Sequence, residues 1–204
     1  MSALRLVLVR HGQTTANAEG VLDTLPPGRP LSDEGHHQAE ALAQRLAGEP
    51  VVAVYASRAL RAQQTAHPVA ARHGLAVQVL SGVHEVFIGD LEGRREPADH
   101  ETLHQMYHAW HSGDLHCARP GGESGKQVLA RYLTDVAAIR AAHPDGTVVL
   151  VSHGAAIRLT VVALAANVDG SFAGPRRLRN SATVLLEAEK SGWRCLRWDG
   201  IELG

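Results

Sequence analysis

Leu6-Val7-Leu8-Val9-Arg10-His11-Gly12 near the start of the chain and Val148-Val149-Leu150-Val151-Ser152-His153-Gly154 near its end say nearly the same thing. Each is a continuous apolar run, which reads as a strand buried on both faces of a parallel sheet, and each stops at a His-Gly pair where the strand gives way to a loop. Both imidazoles therefore stand at carboxyl ends of strands. That edge is where open α/β sheets bind ligands, so two histidines far apart in sequence are expected to meet in one cleft.

Working outward, the first strand covers about residues 5–9, and a polar Gly/Pro-containing stretch over 20–30 separates it from a helix. Ser32 offers the N-cap of that helix, Ala39, Leu42, Ala43 and Leu46 recur at helical spacing, and Gly48 marks its end. A second strand is predicted over 51–55, an Ala-rich helix over 59–73 with a bend or interruption at Pro68, and a third strand over 75–80. Helices follow over 97–112 and 128–142, separated by Gly121-Gly122, and after the His153 strand another helix covers 155–166. Residues 182–187 and 193–198 around Lys190-Ser191-Gly192 read as a β-hairpin. Strands alternating with helices predict an α/β three-layer sandwich. Its central sheet is mostly parallel, with helices on both faces and an antiparallel edge.

At 204 residues the chain fits a single domain, 1–204, long enough to bury a sheet between two helical layers. Hydrophobic content of 45% with a formal net charge of -1 gives no general attraction to nucleic acid or anionic membrane, so any bound anion must be held locally. The apolar run at 6–9 is too short for a signal-peptide core or a span, and the expected compartment is the cytoplasm. Cys117 and Cys195 show neither metal nor redox spacing, and no disulfide framework is expected. There is no low-complexity segment and no repeat array, since the sequence between the two His-Gly strands does not repeat.

The loop after the first strand, Arg10-His11-Gly12-Gln13-Thr14-Thr15-Ala16-Asn17, puts a guanidinium, an imidazole, hydroxyls and an amide within one turn. An Arg fork suits phosphate oxygens, and a neutral imidazole can attack phosphorus. Gly12 permits close backbone approach. After the second strand, Arg58 or Arg61 lies near a helix N-terminus, where amide N–H groups and the helix dipole favour an anion. After the third, Glu85 places a carboxyl group beside apolar neighbours, which would raise its pKa toward a general-acid role.

Together these segments resemble the histidine phosphatase superfamily, also called the phosphoglycerate mutase-like family. The matching residues are Arg10-His11-Gly12-Gln13-Thr14 with Asn17, Arg61-Ala62-x-Gln64-Thr65-Ala66, Glu85 with Gly89 and Gly93, Gly122-Glu123-Ser124, and Ser152-His153-Gly154. They run in family order across most of the chain. Pro30-Leu31-Ser32 with Gly35 and Gln38-Ala39 matches the segment before the family's first long helix, and Asn180-Ser181-Ala182 the segment after its second histidine.

The resemblance implies a phosphomonoester hydrolase with His11 as the nucleophile that becomes phosphohistidine. Arg10, Arg61 and His153 would hold the phosphoryl oxygens, with Asn17 adding a hydrogen bond. Glu85 would protonate the leaving oxygen and then activate water. Gln13, Thr14 and Asn180 are further candidate substrate contacts. Attack needs a neutral nitrogen on His11 whereas His153 helps most as a cation, so their environments are expected to differ. No metal and no cofactor is implied. The partner is a small-molecule phosphomonoester, with neither nucleic acid nor membrane; a homo-oligomer is allowed but not required.

Departures from the family concern the substrate. The basic Tyr- and Arg-containing insertion of the glycolytic mutases is not recognisable, and Gln13 stands where they typically carry Glu. Both lean toward hydrolysis over mutase-type transfer; a non-catalytic phosphate-binding module is the remaining alternative. Residues 93–125 would form an inserted lid that selects the leaving group, with Arg94, Arg95, Met106, Tyr107 and Trp110. Within it His100, His104, His108 and His111 fall on one helical stripe. A metal site is the sharper reading. The plainer one is a polar flank beside an apolar face of Leu103, Met106, Tyr107 and Trp110, with no suitable acidic or Cys partner apart from Glu101.

Overall fold

The computed structural model describes residues 3–203. In chain order the elements are β1 (Arg5–Arg10), α1 (Thr15–Glu19), α2 (Asp33–Arg45), β2 (Val51–Ser57), α3 (Leu60–Arg72), β3 (Val77–Leu80), α4 (Pro97–His111), α5 (Gly125–Ala142), β4 (Thr147–Ser152), α6 (Gly154–Leu164), α7 (Gly170–Ala173), β5 (Thr183–Glu189), β6 (Gly192–Trp198) and β7 (Ile201–Glu202). The strands form one sheet in the order β3-β2-β4-β1-β5-β6-β7. β3, β2, β4 and β1 run parallel, and β5, β6 and β7 complete an antiparallel edge.

The two apolar runs that open the reading are neighbours. β1 and β4 pair in parallel with Leu6 opposite Val148 and Arg10 opposite Ser152, which brings both His-Gly corners to the same end of the sheet. Because side chains alternate along a strand, each run feeds two cores. Leu6, Leu8, Val148 and Leu150 face the layer that contains α4, α5 and α6, while Val7, Val9, Val149 and Val151 face α2 and α3. The helices on both faces complete the three-layer architecture expected from the sequence.

Element boundaries differ from the reading in instructive places. α3 runs through Pro68 without interruption, because Ala62, Thr65, Ala66, Val69 and Ala70 bury one face of it and that packing outweighs the lost backbone hydrogen bond. Leu75 belongs to the turn after α3, where its N–H donates to the Ala70 carbonyl, so β3 begins only at Val77. α5 starts at Gly125, three residues before the reading, through a Ser124–Gln127 capping box. The short elements α1, α7 and β7 carry no periodic pattern long enough to read.

Among the described residues no helix is long and apolar enough to cross a membrane.

Candidate active site

His11 and His153 meet as the strand register demands, with ring centroids 5.1 Å apart. His11 Nδ1 lies 2.7 Å from the carbonyl of Gly12 and therefore carries the proton that it donates there. Nε2 is left with its lone pair, and it accepts the Nε–H of Arg61 at 3.2 Å. The loop can turn this way because Gly12 has no side chain: a Cβ there would lie 2.7 Å from the carbonyl oxygen of Gly35. Thr65 fastens the same corner to α3, accepting the Gly12 N–H at 3.0 Å and donating to the Arg61 carbonyl at 2.7 Å.

Both imidazoles are held well below the ordinary histidine pKa. For His11 the cause is burial first, then the charges of Arg61 and Arg10; for His153 it is burial, then Arg61 and His11. The expectation of one neutral and one cationic ring is thus corrected. Both are sealed from water beside the same guanidinium, so both rest neutral. A neutral His153 donates to an anion only from a protonated nitrogen, and Ser57 decides which. Ser57 Oγ accepts the Ala59 N–H at 3.1 Å and lies 2.7 Å from His153 Nε2. Its own proton is satisfied only by pointing to Nε2, which assigns the His153 proton to Nδ1, a buried atom with no partner.

Two cations complete the pocket. Arg10 Nη1 donates to the Leu178 carbonyl at 2.6 Å. Arg61 is 2% exposed; its Nη1 has no hydrogen-bond partner and stands 3.6 Å from Asp23. Room for that guanidinium comes from Gly28, whose φ is +68° and where a Cβ would lie 2.3 Å from Arg61 Nη1.

Glu85 is half-buried in the loop after β3. In place of an apolar setting it has amide donors: its carboxylate accepts the N–H groups of Val86 at 2.9 Å, Ala156 at 3.1 Å and Ala155 at 3.3 Å, the last two from the first turn of α6. The loop is fixed by Arg131 of α5, which donates to the carbonyls of Gly82, His84 and Glu85. Arg131 is in turn paired with Glu123 at 2.8 Å. Burial pushes the Glu123 carboxyl up, but the Arg131 and Phe87 hydrogen bonds outweigh it and hold the group below its usual value. Ser57, Arg131, Asp23 and Gly28 were not singled out from the sequence. Only Glu123, through its Gly-Glu-Ser motif, pointed toward this support.

The remaining candidates sit at the rim. Asn17 is exposed; its Oδ1 accepts from the Thr14 N–H and from Asn180 Nδ2, both at 3.2 Å, which leaves its Nδ2 as the free donor. Asn180 also donates to the His11 carbonyl at 3.1 Å. Thr14 is 1% exposed and caps α1, and Gln13 Oε1 accepts the Ser32 hydroxyl at 2.9 Å, so both side chains brace the loop. In α4, Leu103, Met106 and Trp110 are buried as expected, but Tyr107 lines a cavity. His100 Nε2 donates to the Gly20 carbonyl at 2.8 Å. Among the described residues no group of three or more His, Cys, Asp or Glu side chains could hold a metal, the histidine stripe included.

Residues 6–200 match the model of the histidine phosphatase superfamily, branch 1. The chain belongs to that family. Its enzymes are phosphatases that work through a phosphohistidine, and this chain is a histidine-type phosphatase. It is 35% identical over 176 residues to glucosyl-3-phosphoglycerate phosphatase of Mycobacterium tuberculosis, covering 80% of this chain and 76% of that one. It is 30% identical over 213 residues to the PE-PGRS family protein PE_PGRS11 of the same organism; that match covers 96% of this chain but only 36% of the relative. A solved structure of mycobacterial glucosyl-3-phosphoglycerate phosphatase in complex with VO3 superimposes with a TM-score of 0.84 at 30% identity, covering 97% of this chain and 99% of that chain.

Proposed function

We propose that this phosphatase hydrolyses small phosphomonoesters with His11 as nucleophile, Glu85 as general acid and base, and Arg10, Arg61, Asn17 and His153 around the phosphoryl group. One observation carries the assignment: the 2.7 Å contact of His11 Nδ1 with the Gly12 carbonyl, which presents the Nε2 lone pair to a pocket with two guanidinium groups.

In the resting site Arg61 donates to that lone pair, so substrate must first draw the guanidinium onto its phosphoryl oxygens. Nε2 then bonds to phosphorus as the ester P–O bond breaks in line, and protonated Glu85 gives its proton to the leaving oxygen. In the second step the Glu85 carboxylate takes a proton from water. The water oxygen attacks phosphorus, the P–N bond breaks, inorganic phosphate leaves, and Glu85 is again protonated. Arg10, Arg61 and the Nδ1–H of His153 stabilise the charge on the transferring oxygens in both steps. That local positive charge is our ground for metal-independent catalysis. Residues 93–125 wall the space over the leaving group. A cytoplasmic setting fits two free thiols, Cys117 and Cys195.

The test is turnover of 4-nitrophenyl phosphate together with acid-quench trapping of labelled enzyme. The native chain should yield an acid-labile phosphoenzyme, should keep its turnover through exhaustive chelation and should lose it to vanadate. His11→Ala should show neither turnover nor label. Normal turnover in that variant would refute the assignment.

A further inference from the structure

Beside the phosphoryl pocket lies a cavity of about 970 Å³, walled by α4, by Arg158 of α6 and by the segment from Gly170 to Arg177. Its size is that of a site for a sizeable ligand rather than for phosphate alone. Two bonds make it continuous with the catalytic centre. Arg10 Nη1 donates to the carbonyl of Leu178, the residue after Arg177, and Asn180 in the same segment donates to the His11 carbonyl. The strand of chain that closes the phosphoryl pocket on one side thus carries the cavity wall on the other.

The lining is unbalanced in charge, with two guanidinium groups against one carboxylate, Glu101. Arg158 is fully engaged as a brace: its Nε donates to the Ala173 carbonyl at 3.2 Å and its Nη2 to the Gly174 carbonyl. Arg177 is different. It is exposed, it has no carboxylate partner among the salt bridges of the described residues, and its Nη2 rests against the ring of His104. Burial and the charge of Arg177 hold that ring below its usual pKa, so it adds no second positive charge. His111 Nδ1 is buried without a partner, and burial lowers its ring to about 4, leaving a neutral polar atom for hydroxyls. Tyr107 stands between the two sites: Glu85 and Arg158 both act on its buried phenol.

We propose that this cavity is the leaving-group site and that it selects phosphomonoesters of hydroxy acids, with the substrate's carboxylate paired to Arg177. A single uncommitted guanidinium matches one carboxylate in a two-pronged hydrogen bond. The proposal rests on the phosphatase reading above, and its test separates the two.

The experiment compares kcat/KM for the phosphate ester of a short hydroxy acid, for the methyl ester of the same compound and for the bisphosphate of matching length, with 4-nitrophenyl phosphate as a reference. The native enzyme should prefer the carboxylate over the methyl ester by about tenfold or more, the scale of a charge-assisted hydrogen bond. Arg177→Ala should bring that ratio to about one and Arg177→Glu below one. The ratio is independent of any general loss of activity in the variants. A ratio near one in the native enzyme, with all substrates turned over, overturns the carboxylate site and leaves the phosphatase reading intact. An unchanged preference in Arg177→Ala does the same, and a larger preference for the bisphosphate overturns the choice of a carboxylate. Failure to turn over any of the substrates overturns both readings.

Discussion

Replacing Ser57 by alanine should slow the chemical step without touching substrate, because the hydroxyl acts only through His153. Both residues are fully buried, at 0% exposure, and their contact is 2.7 Å. The change removes the proton that occupies His153 Nε2, so the neutral ring is free to carry its own proton there and to offer an empty lone pair from Nδ1 to the phosphoryl oxygens. Deleting a donor from a transition-state pocket costs about a hundredfold to a thousandfold in kcat. A ring that retains the donating tautomer part of the time should lose less, roughly tenfold to a hundredfold, with KM little changed. Folding should also suffer by about 1 to 3 kcal/mol, since Nε2 and the Ala59 N–H lose their partner. Ser57→Thr keeps the hydroxyl and should recover kcat. Imidazolium carries both protons, so the deficit of the alanine variant should narrow in acid as pH approaches the depressed pKa of His153. Rates across pH and ¹⁵N shifts of the His153 ring read these effects directly. An alanine variant with native kcat, or one in which the His153 tautomer is unchanged, would refute the reasoning.

Two further outcomes follow from the same geometry. His11 and His153 both titrate well below 6.5 when folded, so the unfolded chain binds more protons as pH falls below about 6.5; stability should therefore be level above that pH and decline below it, a slope measurable by chemical denaturation. The acid limb of kcat/KM should likewise lie well below 6.5, and a limb at 6.5 would show that His11 is not held neutral by burial. Gly28→Ala should displace the Arg61 guanidinium, because the added methyl would lie 2.3 Å from Nη1 on a backbone with φ of +68°, and phosphate or vanadate affinity should drop together with kcat. Native vanadate inhibition in that variant would mean that Asp23 and the loop simply shift aside.

What the sequence makes legible here follows a simple physical division. Continuous apolar runs such as 6–9 and 148–151 can be buried only by a sheet covered on both faces, and a His-Gly stop marks the end of each, so the sheet and the meeting of His11 with His153 can be read from one dimension. Pro68 misleads because local propensity argues for a break, while the buried face of α3 decides otherwise. Ser57, Arg131 and Gly28 are hard to read for another reason. Their work is done on partners distant in sequence, as when Arg131 on α5 grips carbonyls around Glu85, and a lone polar residue on a helix looks no different from a solvated one. Tyr107 shows the same limit: helical spacing places it with Leu103 and Met106, but only the packed fold shows that its ring borders a cavity.

The place of β1 in the sheet also governs how the molecule is made. Its two neighbours are β4 and β5, so the first strand to leave the ribosome stays unpaired on both edges until the chain has grown by roughly 140 residues. At about 5 to 20 residues per second that interval is on the order of ten seconds. Throughout it, Leu6 to Val9 are an apolar ribbon with free amides, the kind of segment that recruits the wrong partner. Nascent chains that stop short of residue 147 should therefore be the species that aggregate or bind chaperones, and the centre of the sheet should be the last part of this protein to form.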